Sequence, residues 1–213
     1  MTTPRRAVLL AAALGAPALL SLDARAQGSA PAAPAAGDPR LAERAAGKAD
    51  APVTVIEYFS LTCSHCAAFH KETWPKVRSE LVETGKIRMV WRDFPLDQLA
   101  LAAATVARSL PPQHYEAFIS ALLGSQDRWA FARGINNLDE IAKIAALTGM
   151  TRAQFDAAIA DQGLQRAILE GRMKAEQEFQ VNSTPTFVFG RKPVPGALSF
   201  DRFAEQVRQA APG

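Results

Sequence analysis

Cys63 and Cys66 are the only 2 cysteines in a chain of 213 residues, and they stand together in Ser60-Leu61-Thr62-Cys63-Ser64-His65-Cys66. A structural disulfide framework would spread cysteines along the chain to close long loops. This pair can bond only within itself or with a partner molecule. Two intervening residues let the sulfurs meet within one helical turn, the arrangement of a redox Cys-x-x-Cys. At a helix start, unpaired backbone N–H groups favour an anion, so Cys63 reads as the thiolate nucleophile. Cys66, one turn in and shielded, reads as the resolving thiol. His65 between them, when protonated, adds positive charge beside Cys63 and lowers its pKa further. Once that pKa is below ambient pH, each further unit stabilises the dithiol by about 1.4 kcal/mol and raises the potential by about 30 mV. The pattern therefore leans towards giving a disulfide away.

Metal binding is the other chemistry open to these residues. Zinc could take Cys63, Cys66 and a histidine, and His70 lies four residues past Cys66 on the same helix face. There is no second Cys-x-x-Cys, and beyond His65 and His70 the only histidine is His114. A structural zinc site is short of ligands, and no metal or cofactor is expected. Soft Cu(I) on two thiolates is a better rival. His70 reads as a helix-surface residue.

The surrounding elements must position this pair. Val53-Thr54-Val55-Ile56-Glu57-Tyr58-Phe59 is β-branched and aromatic and reads as a buried strand leading into it. Residues 67–83 carry the helical stripe Phe69, Trp74, Val77, Leu81, with Pro75 as a kink and Gly85 past the end. Residues 87–94 read as a second strand, giving a parallel strand–helix–strand unit. Residues 97–162 read as nearly all helix, with Asp97 as a cap, Pro111-Pro112 as a stop, and capping boxes at Asn137/Glu140 and Thr151/Gln154. A helix over 164–179, a strand over Thr186-Phe187-Val188-Phe189, a short edge strand over 194–197 and a helix over 200–210 complete the chain.

The N-terminus has the layout of a secretory signal: Arg5-Arg6, an apolar run from Ala7 to Leu20, and Ala24-Arg25-Ala26 before Gln27. The paired arginines are compatible with either Sec or twin-arginine export. Residues 27–50 follow as an Ala/Pro-rich linker. Of the formal net charge of +3, the signal segment carries +2, so the exported chain is nearly neutral. With no basic stripe interleaved with aromatics, nucleic acid is not a natural partner.

The run Val55-Ile56-Glu57-Tyr58-Phe59-Ser60-Leu61-Thr62-Cys63-Ser64-His65-Cys66, followed far downstream by Ser183-Thr184-Pro185-Thr186-Phe187-Val188, resembles the DsbA family of exported thiol–disulfide oxidoreductases. The resemblance spans essentially the whole exported chain. It implies an α/β thioredoxin fold (51–96 and 164–213) with an inserted all-helical domain (97–163). It also implies that Thr184–Pro185 is cis and faces Cys63, where the backbone at Thr184 would pair with an extended substrate strand. Glu57 matches an acid that the family keeps beneath the active site; read from burial alone, it could equally point outward from the strand. The best-known members have Pro at the position of Ser64 and Val at that of Thr184. A Thr-Pro pair is similar to related isomerases and reductases, so the direction of electron flow is the open point.

The expected function is a monomeric periplasmic oxidase that donates the Cys63–Cys66 disulfide to unfolded or newly exported proteins. The family implies a DsbB-like membrane partner for reoxidation. The alternatives are a reductase or isomerase of the same fold and a copper(I)-binding thiol carrier. Isomerases of this type usually dimerise through an extra domain, and the tether before Ala51 is too poor in apolar residues to be one.

Overall fold

A computed structural model describes residues 1–2 and 37–212. The signal-peptide expectation (1–26) and the first part of the expected linker lie outside the described residues, apart from the first two positions. The remainder of that linker carries two short elements. Pro39–Leu41 form a 3₁₀ turn capped by Asp38, and Arg44–Ala46 form a short strand, β1. Nothing in Arg-Ala-Ala favours a strand; pairing with a neighbour creates it. Gly47 makes the approach feasible, because at its φ of 97° a Cβ would sit 2.6 Å from the Ile87 carbonyl oxygen.

Strand β2 (Val53–Phe59) runs parallel to β3 (Ile87–Asp93), as the sequence pattern predicts. β4 (Thr186–Phe189) lies antiparallel to β2, and β5 (Lys192–Pro195) closes the edge, giving the order β1-β3-β2-β4-β5. β5 starts two residues earlier than the expected 194–197. A tight turn at Gly190-Arg191, with Gly190 at φ 63°, puts Lys192 directly opposite Phe189.

Helices cover both faces of the sheet, so β2 is apolar almost throughout. Val53, Val55 and Phe59 join the larger core, beneath α9 (Phe200–Ala210) and the helical run that follows β2. Ile56 and Tyr58 face the other way, against Ala175 and Phe179 of α8 (Gln162–Phe179). Glu57, between Ile56 and Tyr58, therefore points into the larger core.

The run after β2 begins earlier than the expected 67–83. It comprises α1 (Ser64–Ala68), a π turn (Phe69–Thr73), α2 (Trp74–Val77) and a second π turn (Arg78–Val82). Pro75 has no N–H to give, and the wide turn before it, closed from Trp74 N–H to Phe69 C=O, absorbs the break.

Between β3 and α8 stand α3 (Gln98–Ser109), α4 (Pro112–Gly124), α5 (Gln126–Trp129), α6 (Asn137–Ala146) and α7 (Arg152–Ala160), the all-helical insertion. Asp97 caps α3, and Thr151/Gln154 form the expected box. The Asn137/Glu140 box does not form. Asn136 caps α6 instead, and Asn137 Nδ2 donates to the Trp129 carbonyl at 2.7 Å. A buried cluster ties insertion to sheet: Arg108 Nε donates to Asp93 at 2.6 Å, its Nη1 to the Ala42 carbonyl at 2.9 Å, and Tyr115 Oη to Asp93 at 3.2 Å. The architecture is a thioredoxin fold with a helical insertion.

Candidate active site

β2 ends at Phe59, and Ser60-Leu61-Thr62 turn the chain into α1. Cys63 is the N-cap of that helix: its backbone is extended (φ −84°, ψ 119°) and its carbonyl accepts from Ala67 N–H at 3.1 Å. Its side chain makes no capping bond, so the sulfur is left to the thiol chemistry. Both cysteines are free thiols; Cys63 is 8% exposed and Cys66 0%.

The two thiols are driven apart electrostatically. Cys63 falls from an ordinary 9.0 to about 5, chiefly because the Cys66 thiol hydrogen-bonds its anion. Partial burial opposes this, while the Thr184 hydroxyl and the N–H groups of Cys66 and His65 reinforce it. Cys66 is pushed well above 9.0, first by burial, then by its bond to Cys63 and by the charge of Glu57. His65 is exposed, and its backbone N–H is among the groups that lower the pKa of Cys63. Ser64 is exposed as well.

The distant loop arrives beside Cys63. Thr184–Pro185 is cis, and Cys63 Sγ–H donates to the Thr184 carbonyl at 3.2 Å. The Thr184 hydroxyl is buried with no partner in hydrogen-bonding geometry, and rotation about its C–O bond lets it donate once the thiolate forms. Next to this loop a cleft of about 440 Å³ is lined by Phe94, Leu96, Arg172, Glu176, Gln180, Val181 and Asn182.

The helical insertion braces the turn that carries Cys63. Gln126 of α5, 6% exposed, donates through Nε2 to the Leu61 carbonyl at 2.7 Å and the Cys63 carbonyl at 3.0 Å. Thr62 Oγ1 donates to Asp97 at 2.6 Å, while the other oxygen of that carboxylate caps α3 through Ala100 N–H at 2.7 Å. Gln126 carries no signal in the sequence: it lies 63 residues from Cys63 and looks like any helical glutamine.

Glu57 and His70 meet in the core. Glu57 is wholly buried, which decides between its two readings. His70 is not on the surface as expected; its side chain is 3% exposed and its Nε2 lies 3.1 Å from Glu57 Oε2. The signal for this was present, since His70 shares a helix face with Cys66 and Cys66 is fully buried. Among the described residues, no cluster of three or more His, Cys, Asp or Glu side chains could hold a metal ion.

A family model described as thioredoxin matches residues 40–209. The chain belongs to the thioredoxin family and is DsbA-like. A Rickettsia bellii protein named for protein-disulfide oxidoreductase activity is 27% identical over 142 residues, 66% of this chain, and the match spans 54% of that relative's length. The thiol:disulfide interchange protein DsbA of Haemophilus influenzae is 24% identical over 168 residues, covering 75% of this chain and 77% of that one. Among solved structures, alpha-DsbA1 of Wolbachia pipientis superposes with a TM-score of 0.73 at 26% identity, over 80% of this chain and 91% of that one. DsbA-like thiol–disulfide oxidoreductase chemistry is thus the family setting of Cys63 and Cys66.

Proposed function

We propose that this chain is a monomeric periplasmic oxidase that donates its Cys63–Cys66 disulfide to newly exported proteins. The single observation that carries this reading is the placement of the two thiols: Cys63 at the start of α1 with its sulfur 3.2 Å from the Thr184 carbonyl, and Cys66 fully buried within the first turn.

A substrate thiolate attacks Cys63 Sγ; the bond to Cys66 breaks, and a mixed disulfide forms. Cys66 leaves and takes a proton, for which Glu57 is the nearby buried carboxyl. A second substrate thiolate then attacks the first substrate sulfur and releases Cys63. The substrate loses two electrons and the protein gains two. Because the released Cys63 is a stabilised anion, this last step is favoured. Extended substrate would lie along the backbone at Thr184, in the manner of an added strand, with the neighbouring cleft taking its side chains. The insertion, as a separate domain over 97–163, would hold the redox turn rigid through Gln126 and Asp97. A DsbB-like membrane partner would reoxidise the dithiol. No described helix is long and apolar enough to cross a membrane.

The test is covalent trapping. Cys66→Ala removes the thiol that resolves mixed disulfides, so tagged protein from exporting cells should run as adducts on non-reducing gels. Cys63→Ala should give none and should lose peptide oxidation. A Cys66→Ala protein that gathers no adducts would refute the reading. Tight Cu(I) binding without any disulfide exchange would replace it with the copper carrier.

A further inference from the structure

In the core, Glu57, whose charge acts on Cys66, and His70, four residues past Cys66 in the same helical run, each hold one buried polar atom that no other group satisfies, as does Trp91 Nε1 on the strand beside Glu57. Glu57 Oε1 and His70 Nδ1 both lack hydrogen-bond partners among the described residues, while their other atoms, Oε2 and Nε2, are bonded to each other at 3.1 Å. Isolated unpartnered atoms of this kind are costly in a core. The ring of His70 packs against Phe59, Phe69 and Trp74, and its Nδ1 makes no hydrogen bond to any of them. In the tautomer that donates from Nε2 to Glu57, Nδ1 carries a lone pair, and each residue of the pair then keeps one vacant proton site.

We propose that His70 is a positioning residue and second proton site for Glu57, so that the two act as one buried acceptor for the Cys66 proton. This rests on the reading that Cys63 and Cys66 exchange disulfides. In the closing step, a mixed disulfide joins Cys63 Sγ to a partner sulfur. Cys66 Sγ–H gives its proton to the pair, and the Cys66 sulfur attacks Cys63 Sγ. The Cys63–Cys66 bond forms and the bond from Cys63 to the partner breaks. The partner leaves as a thiolate with the electron pair, and Cys66 is oxidised. A proton on Glu57 Oε1 or on His70 Nδ1 leaves the bond between the two residues in place, so the core is not rearranged. In the opening step the same proton returns to Cys66.

The neighbourhood isolates this function. The charge of Glu57 acts on Cys66, and through the Cys63–Cys66 contact the pair is linked to Cys63. On the β3 side, Trp91 is the register partner of Glu57 and packs on Trp74. The next ionisable groups there, Tyr115, Asp93, Arg108 and Arg44, form their own cluster beyond Trp91. β4 and α9 contribute Phe187 and Phe203 against Phe69, with no charge.

The experiment is stopped-flow reaction of the reduced protein with the aromatic disulfide DTNB, which separates the two cysteines in one trace. Attack by Cys63 releases a first thionitrobenzoate; attack by Cys66 on the resulting mixed disulfide releases a second. His70→Gln keeps an N–H for Glu57 but has no second proton site. The first release should stay at the native rate. The second should slow about tenfold and gain a dependence on pH where the native rate is level. Glu57→Gln should slow the second release on the order of 10²-fold, at the low end for a positioned acid–base group. The double variant should be no slower than Glu57→Gln alone. His70→Asn, smaller and also non-titrating, gives the same readout if His70→Gln fails to fold. A native second release with the native pH profile in a folded His70 variant overturns the pair. If the native protein itself gives no second release, the exchange reading fails instead, and the pair with it.

Discussion

The pKa of Cys63 makes the stability of the dithiol form depend on pH in a calculable way. In the native dithiol this group titrates at about 5, and 9.0 serves as its unfolded value. A depressed pKa contributes stability above the unfolded value and loses it as pH falls through the folded value. At pH 7 the native thiol is ionised and the unfolded one is not, a gap worth roughly 3 kcal/mol. Solvent reaches the sulfur from one side, and screening reduces this to about 2 kcal/mol. At pH 4 both states are protonated, and the contribution vanishes. Cys66 adds nothing in this window, because its raised pKa keeps it protonated in both states. The disulfide form has neither thiol, and all other titrating groups are shared. Urea unfolding of the dithiol and disulfide forms at pH 4 and pH 7 therefore isolates the effect. The dithiol should gain about 2 kcal/mol relative to the disulfide on going from pH 4 to pH 7. The same ionisation makes the disulfide more oxidising at pH 7 by roughly 60 mV. An unchanged difference between the two forms across that range, or thiolate absorbance that rises only near 9.0, refutes the assignment of Cys63 as a standing anion.

Three further outcomes follow from particular contacts. Gln126→Leu strands the buried Leu61 carbonyl and one bond to Cys63, and should cost about 1–3 kcal/mol in urea unfolding while altering the alkylation rate of Cys63. Arg108→Ala leaves Asp93 buried without its ion pair and should cost about 3–5 kcal/mol; the Asp93→Asn, Arg108→Met double variant should recover part of that in the same assay. Gly47→Ala drives a Cβ into the Ile87 carbonyl at positive φ and should cost about 2 kcal/mol, with faster hydrogen exchange confined to β1 and its β3 partners.

The elements nearest the cysteines were legible because their signals are local. A β-branched run makes β2, Gly85 and Gly190 mark tight turns, and the Asp97 and Thr151/Gln154 caps act within one helical turn. What failed locally failed for a physical reason. The β1 segment, Arg44-Ala45-Ala46, has no strand preference of its own and exists through its register with Trp91, Val90 and Met89. The Asn137 box yielded to Asn136 because the Asn137 amide finds a better acceptor at Trp129.

The sequence by itself determined which residues could do chemistry: two thiols one turn apart after a strand, and a Thr-Pro far away, are readable because sulfur reactivity is a property of residue type and short spacing. Only the tertiary structure decided how that chemistry is tuned. Whether Glu57 faces core or solvent, whether His70 is free or bonded to it, and whether Gln126 touches the redox turn depend on which surfaces are buried together. Burial and hydrogen-bond partners are set by contacts across many residues of chain, where electrostatic interactions strengthen as water is excluded.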